Sequence, residues 1–270
     1  MIDFKSIIAG SKLYNFHAHT QFCDGHAPME DFIVEAIAQG FTDFGFSPHS
    51  PVTFETSCNM SRDSVDDYLK EIERLRAKYS SKINIYASME IDYTNELGPA
   101  DPYFQNIPLD YRIGSLHYIP SFDNSNEYVD IDGSPEHFKI KMKKYFHEDV
   151  EAVIKSFYAQ SFKMIEHGGF DIIGHFDKVG YNASTYREGV DEEPWYDQLV
   201  IDTFEAIMDY HYIVEINTKS WVPRNRFFPN LKYFGMLKKY NAPVVFNSDS
   251  HYPTMIDAGR EEAMKLYDML

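Results

Sequence analysis

The chain has 270 residues, a formal net charge of −17 and 44% apolar residues, among them 21 Phe and 20 Tyr. That composition supplies a large core, while the acidic balance argues against non-specific nucleic-acid binding and adhesion to anionic membranes, which both need a basic footprint. Two cysteines, Cys23 and Cys58, cannot build a disulfide framework, and no apolar run reaches membrane-spanning length.

The first predicted strand, Leu13–Thr20 (LYNFHAHT), ends in His17 and His19, which alternation places on one side. Met29–Gln39 reads as an amphipathic helix with Phe32, Ile33, Ala36 and Ile37 on one face, stopped by Gly40. A second strand, Phe41–Ser50, ends in His49 between prolines. Ser61 is the expected cap of a helix running to about Tyr79. The third strand, Ile83–Tyr93, carries Glu90 and Asp92 near its end, and the fourth, Tyr111–Ile119, carries His117. Pro120–Pro135 is the most loop-like stretch, placed to form a rim or lid. A long helical pattern over Pro135–Gly168 is expected to break near His147. Strand five, Asp171–Asp177, contains His175; strand six is Tyr212–Lys219; strand seven, Pro243–Tyr252, contains Asp249 and His251. Helical patterns over Glu193–Tyr210, Asn230–Tyr240 and Pro253–Met269 complete the alternation. Such alternation predicts parallel strands joined by crossovers, and nothing splits residues 1–270 into more than one domain. The opening MIDFKSIIAG lacks a basic segment followed by a long apolar one, so a cytoplasmic location is expected.

A barrel gathers the carboxyl ends of its parallel strands on one face. His17, His19, His49, Glu90, His117, His175, Asp249 and His251 would therefore meet. Imidazoles beside carboxylates suit zinc, manganese or iron, and burying so many polar groups without a metal would be costly. An ionised Glu90 has two oxygens with which to bridge two cations. His137, His147, His167 and His211 lie in polar or helix-end contexts and read as structural or solvated.

The stretches HAHTQFCDGHAP, GFSPHSP, MEIDY, YRIGSLHYI, DIIGHFD, EIN and NSDSH occur in this order from about residue 14 to 252. In them the chain resembles the polymerase-and-histidinol-phosphatase (PHP) superfamily, and through MEIDY and IGSLHYI its monofunctional histidinol-phosphate phosphatases. The resemblance implies an α/β fold, a distorted seven-stranded TIM-like barrel with three divalent metals at the carboxyl ends of the strands. It implies that His17, His19, Glu90 and Asp249 hold the first metal. Glu90 would bridge to a second, completed by His117 and His175, and His49 and His251 would hold a third. The last ligand of that third metal is Asp24 or His26, with Asp24 favoured by its spacing from His19; His26 otherwise contacts substrate or solvent. The implied activity is hydrolysis of L-histidinol phosphate to L-histidinol and phosphate by metal-activated water. Glu90, Asp249, His251 and Asp92 would carry the chemistry, with Asp92 protonating the leaving oxygen or holding the substrate amine. Lys219, Arg224 and Arg226 after the sixth strand, or Arg187 after the fifth, are the candidate phosphate clamp. The expected partner is a small phosphorylated metabolite. Other readings are a phosphoesterase acting on nucleotides, phosphodiesters or phosphotyrosine, and a non-catalytic barrel that keeps its metals.

Overall fold

A computed structural model describes residues 2–270. Among the described residues there are ten strands: β1 (Tyr14–Asn15), β2 (Asp43–Phe46), β3 (Asn84–Ala87), β4 (Glu90–Asp92), β5 (Ile113–Ser115), β6 (Tyr118–Pro120), β7 (Tyr128–Asp130), β8 (Ile172–Ile173), β9 (Ile213–Asn217) and β10 (Val244–Asn247). The helices are α1 (Phe4–Gly10), α2 (Met29–Ala38), α3 (Val65–Tyr79), α4 (Pro102–Gln105), α5 (Pro135–Tyr145), α6 (Val150–His167), α7 (Val179–Tyr186), α8 (Pro194–Asp209), α9 (Trp221–Arg224), α10 (Phe234–Lys239) and α11 (Arg260–Asp268).

Strands β1, β2 and β3 form one parallel sheet, and β4, β5, β8, β9 and β10 form another in that spatial order. Single parallel bridges link them at both ends, His49 with Glu90 and Ala18 with Ser250. Where β1 and β10 diverge, side chains replace the ladder. Asn247 Oδ1 accepts from Phe16 N–H at 2.9 Å, and Asn15 Oδ1 accepts from Ser248 N–H at 3.0 Å.

The longer helices form because each has an apolar stripe to bury. Helix α2 buries Met29, Phe32, Ile33 and Ala36, and α3 buries Val65, Tyr68, Ile72 and Leu75. At roughly 1.5–3 kcal/mol per buried large side chain, this face rather than intrinsic propensity holds α3 in place. It packs over β2 and β3, while a larger apolar cluster including α6, α8 and α10 covers the second sheet.

Three expectations need correction. The strand read as continuous over 83–93 is interrupted at Ser88–Met89. The Tyr68 hydroxyl sits there, accepting from Ser88 N–H at 3.1 Å and lying 3.0 Å from Phe46 O and 2.8 Å from Ser88 O. Ser61 does not cap α3: a 3₁₀ turn, Arg62–Ser64, comes first, and the Ser61 hydroxyl meets that of Ser64 at 2.7 Å. The loop-like stretch after His117 contains β7, paired antiparallel with β6. Stacking of Phe54 on Tyr128, with ring centroids 5.5 Å apart, anchors this hairpin. The break near His147 is present, with His147 and Glu148 in left-handed backbone between α5 and α6.

Candidate metal centre

Six of the eight strands of the two parallel sheets deliver imidazoles or carboxylates to one end. His17 and His19 follow β1, His49 follows β2, Glu90 opens β4, His117 follows β5, His175 follows β8, and Asp249 and His251 follow β10. All but His49 and His251 are buried, and those two keep side-chain exposures of only 12%. Donor atoms of His17, His19 and Asp249 lie within 4.8 Å of one another, as do those of Glu90, His117 and His175, and those of His19, Asp24, His49 and His251.

Glu90 is the centre of this arrangement. Its Oε2 lies 3.1 Å from His49 Nδ1, 3.3 Å from His17 Nε2 and 3.5 Å from His19 Nε2. Its Oε1 lies 2.8 Å from His175 Nε2 and 3.5 Å from His117 Nε2. Yet Oε2 and all three nitrogens facing it are buried without a hydrogen-bond partner, as is Asp24 Oδ1. Atoms so placed cost free energy unless something satisfies them together. A set of imidazole and carboxylate donors converging at these separations fits divalent metal ions.

The local field agrees. Burial opposes protonation of His17, but Glu215, Glu90 and Asp249 outweigh it and push its pKa up to about 10. The cluster therefore favours a cation at this point. Burial would raise Glu90 and Asp249, but imidazoles facing Glu90, and Lys219 with His17 and His19 facing Asp249, hold both carboxyls well below their usual range. Burial, His19 and Lys219 push His251 down to about 4, leaving the neutral ring that coordination requires.

The family model of the PHP domain matches residues 15–219. The chain belongs to the PHP domain family. It is 25% identical over 260 residues to a protein of Schizosaccharomyces pombe named probable histidinol-phosphatase, covering 89% of this chain and 81% of that one. A histidinol phosphate phosphatase of Lactococcus lactis, solved with zinc, L-histidinol and phosphate, matches at a TM-score of 0.75 and 19% identity, over 95% of this chain and 92% of that one. A proposed histidinol phosphatase of Listeria monocytogenes matches at 0.81 and 20% identity, over 92% and 99% of the two chains. At these identities the two structures establish the α/β fold of this PHP chain.

Within that fold, Asp24 and not His26 enters the cluster. Asp24 lies 3.4 Å from both His19 Nδ1 and His251 Nε2 and 3.9 Å from His49 Nε2. His26 is exposed and stacks on Tyr252. Asp92 is buried behind the cluster: its Oδ1 lies 2.7 Å from His117 Nδ1, and its Oδ2 accepts from Asn59 Nδ2 at 2.8 Å. Lys219 Nζ reaches Asp249 Oδ1 and His251 Nε2, both at 3.3 Å. Arg224 is exposed over the Tyr181 ring and lines a cavity with Lys219. Arg226 pairs with Asp191 at 2.7 Å, and Arg187 pairs with Glu193 and lines a separate surface cavity with His147 and Tyr186. His147 is exposed beside Asp123, and His167 lies at the end of α6.

Two residues outside the expected set stand at the centre. Glu215 Oε1 lies 2.6 Å from His17 Nδ1 and accepts from Asn247 Nδ2 at 3.0 Å; its Oε2 accepts from His175 N–H at 3.0 Å and Asn217 Nδ2 at 3.1 Å. Lys178, three residues after His175, places Nζ 3.4 Å from His117 Nε2 and 2.7 Å from Asp132 Oδ2. The sequence signals were a charge inside the apolar strand YIVEIN and a lysine just beyond a strand-end histidine.

Proposed function

We propose that this PHP-family chain is a metal-dependent phosphomonoesterase that hydrolyses L-histidinol phosphate to L-histidinol and phosphate. The observation that carries the reading is the convergence of unpartnered buried donor atoms on Glu90, with Lys178 and Lys219 beside them. The names of the relatives support the choice of substrate.

His17, His19, Glu90 and Asp249 would hold one ion; Glu90, His117 and His175 a second; Asp24, His49 and His251 a third, with zinc, manganese and iron all suited to the donor set. Divalent ions bound there supply Lewis-acid activation of water and neutralisation of phosphoryl charge. The chain's own part is positioning. An ionised Glu215 can only accept, so it fixes the proton on His17 Nδ1 and turns Nε2 towards the cluster. Asp92 does the same for His117, a positioning role distinct from contact with the leaving group. The ammonium groups of Lys178 and Lys219 stand where phosphoryl oxygens would approach, and Arg224 lies farther out on the same wall. Fixed positive groups of this kind stabilise the charge spread over a transferring phosphoryl group.

We read the two sheets, joined by the His49–Glu90 and Ala18–Ser250 bridges and with β3 and β4 counted as one interrupted strand, as a closed seven-stranded barrel forming one domain. The test of function is kcat/KM for histidinol phosphate against sugar phosphates, nucleotides, phosphotyrosine and a phosphodiester. A clear preference for histidinol phosphate is the expected outcome. Comparable rates across the panel or a diester preference would overturn it.

A further inference from the structure

The ion pair between Asp132 and Lys178 has no part in holding the metal cluster, yet it touches it. Lys178 Nζ lies between Asp132 Oδ2, at 2.7 Å, and His117 Nε2, at 3.4 Å. One ammonium group thus separates the Asp132 carboxylate from an imidazole of the centre. Both residues line a cavity of about 110 Å³ together with Tyr181, Lys219 and Arg224.

The backbone around Asp132 is fixed from several directions. Asn182, 3% exposed on α7, donates to Ile131 O at 3.1 Å and reaches Gly133 O at 3.5 Å, so its amide brackets residue 132. Asp132 N–H donates to Asp130 Oδ1 at 2.7 Å, and Ile131 N–H donates to His117 O at 2.9 Å. Gly133, at φ +84°, then turns the chain away in a conformation that favours glycine. The segment is tied both to the α7 wall and to the residue that carries a cluster imidazole. A single carboxylate is thereby held on the rim of a cavity whose other charged groups are all cationic.

A phosphate dianion entering beside His117 competes with Asp132 for Lys178. If it wins, the carboxylate loses its partner in a partly desolvated place, which is costly. A substrate with a cation close to its phosphate removes that cost by pairing with the carboxylate itself. Histidinol phosphate has this pattern: its ammonium is on the carbon next to the one bearing the phosphate ester.

We propose that Asp132 is a specificity-determining residue that receives the ammonium group of a β-aminoalkyl phosphate, in exchange for Lys178, which passes to the phosphate. This rests on the phosphatase reading above. A site built around a buried polar contact rejects the analogue lacking it far more strongly than an apolar pocket rejects a missing methylene, so the expected discrimination is about a hundredfold or more.

The test compares histidinol phosphate with its deaminated analogue, 3-(imidazol-4-yl)propyl phosphate, on metal-loaded wild type and Asp132→Asn. The readout is the ratio of the two kcat/KM values within each preparation, so the fraction of folded protein cancels. The wild-type ratio should be about a hundred or more and should fall below about ten in the variant. Calorimetry should show L-histidinol binding weakened at least about tenfold in Asp132→Asn, with no matching change for the deaminated alcohol. A variant that keeps the wild-type ratio within about threefold overturns the role of Asp132 and leaves the phosphatase reading standing. Wild type that hydrolyses neither ester overturns both.

Discussion

Each oxygen of Glu215 accepts from two donors, so its neighbours demand an ionised carboxylate. Glutamine there would point an NH₂ group at other donors. Glu215→Gln is therefore expected to weaken metal binding by about 10–100-fold, measured by competition with a chromophoric chelator. Wild-type affinity in that variant would remove Glu215 from the assembly of the centre. Glu90→Gln is the harsher change, because one of its oxygens faces three imidazoles and the other faces two. It should lower kcat/KM more than about a hundredfold and leave the purified protein short of metal by elemental analysis. Normal metal content would show that Glu90 is not the bridge. At this scale, the groups that the structure gathers around Glu90 were legible in the sequence, since His-x-His and Asp-x-His are written in short strand-end patterns. Glu215 and Lys178 were not, because a residue that acts through a ligand or across a cavity is defined by a neighbour tens of residues away. Asp92 shows the same limit. Its place beside Glu90 was visible, but only the structure shows its carboxylate turned to His117 and Asn59.

Among the elements, the main parallel strands and the long helices followed from hydrophobic periodicity, and two of the three errors occurred where a side chain distant in sequence decides the local structure. Tyr68 breaks the third predicted strand with its hydroxyl. The β6–β7 hairpin hides in a Ser-, Asn- and Asp-rich stretch whose stacking partner, Phe54, lies in a distant loop. Arg260 is the clearest case of an element held by one side chain. It is 1% exposed at the start of α11, donates from Nε to Phe246 O and from Nη2 to Lys12 O, both at 2.9 Å, and pairs with Asp257. Methionine could fill the space of its stem but would strand both carbonyls. Arg260→Met is expected to cost roughly 2–4 kcal/mol, read from the denaturant midpoint at unchanged slope. A shift below about 0.5 kcal/mol would mean that water or relaxation satisfies those carbonyls.

For the whole molecule, a chain of net charge −17 concentrates ionised carboxylates and imidazoles in its interior. Cations bound there stabilise only the folded state. At metal a hundredfold above its dissociation constant, the linkage amounts to ~2.7 kcal/mol per site, or roughly 5–10 °C in melting temperature. Stripping metal with a chelator should lower the midpoint by at least that much, and adding it back should restore it. An unchanged midpoint would argue against resident ions. Among the described residues no helix is long and apolar enough to cross a membrane.

The bridge between Ala18 and Ser250 bears on how the protein comes into being. It sets His17 and His19 beside Asp249 and His251, so groups that would hold one ion are made far apart in synthesis. A ribosome-bound chain that has released residues 1–240 holds His17, His19, Glu90, His117 and His175 but lacks the Asp249 and His251 of the proposed first and third ions. Contacts of such long sequence separation form late, and until then the proposed first and third sites would be incomplete. Tight binding at the proposed first and third sites would thus report that β10 has docked, and a nascent chain that stalls short of it should hold those ions weakly.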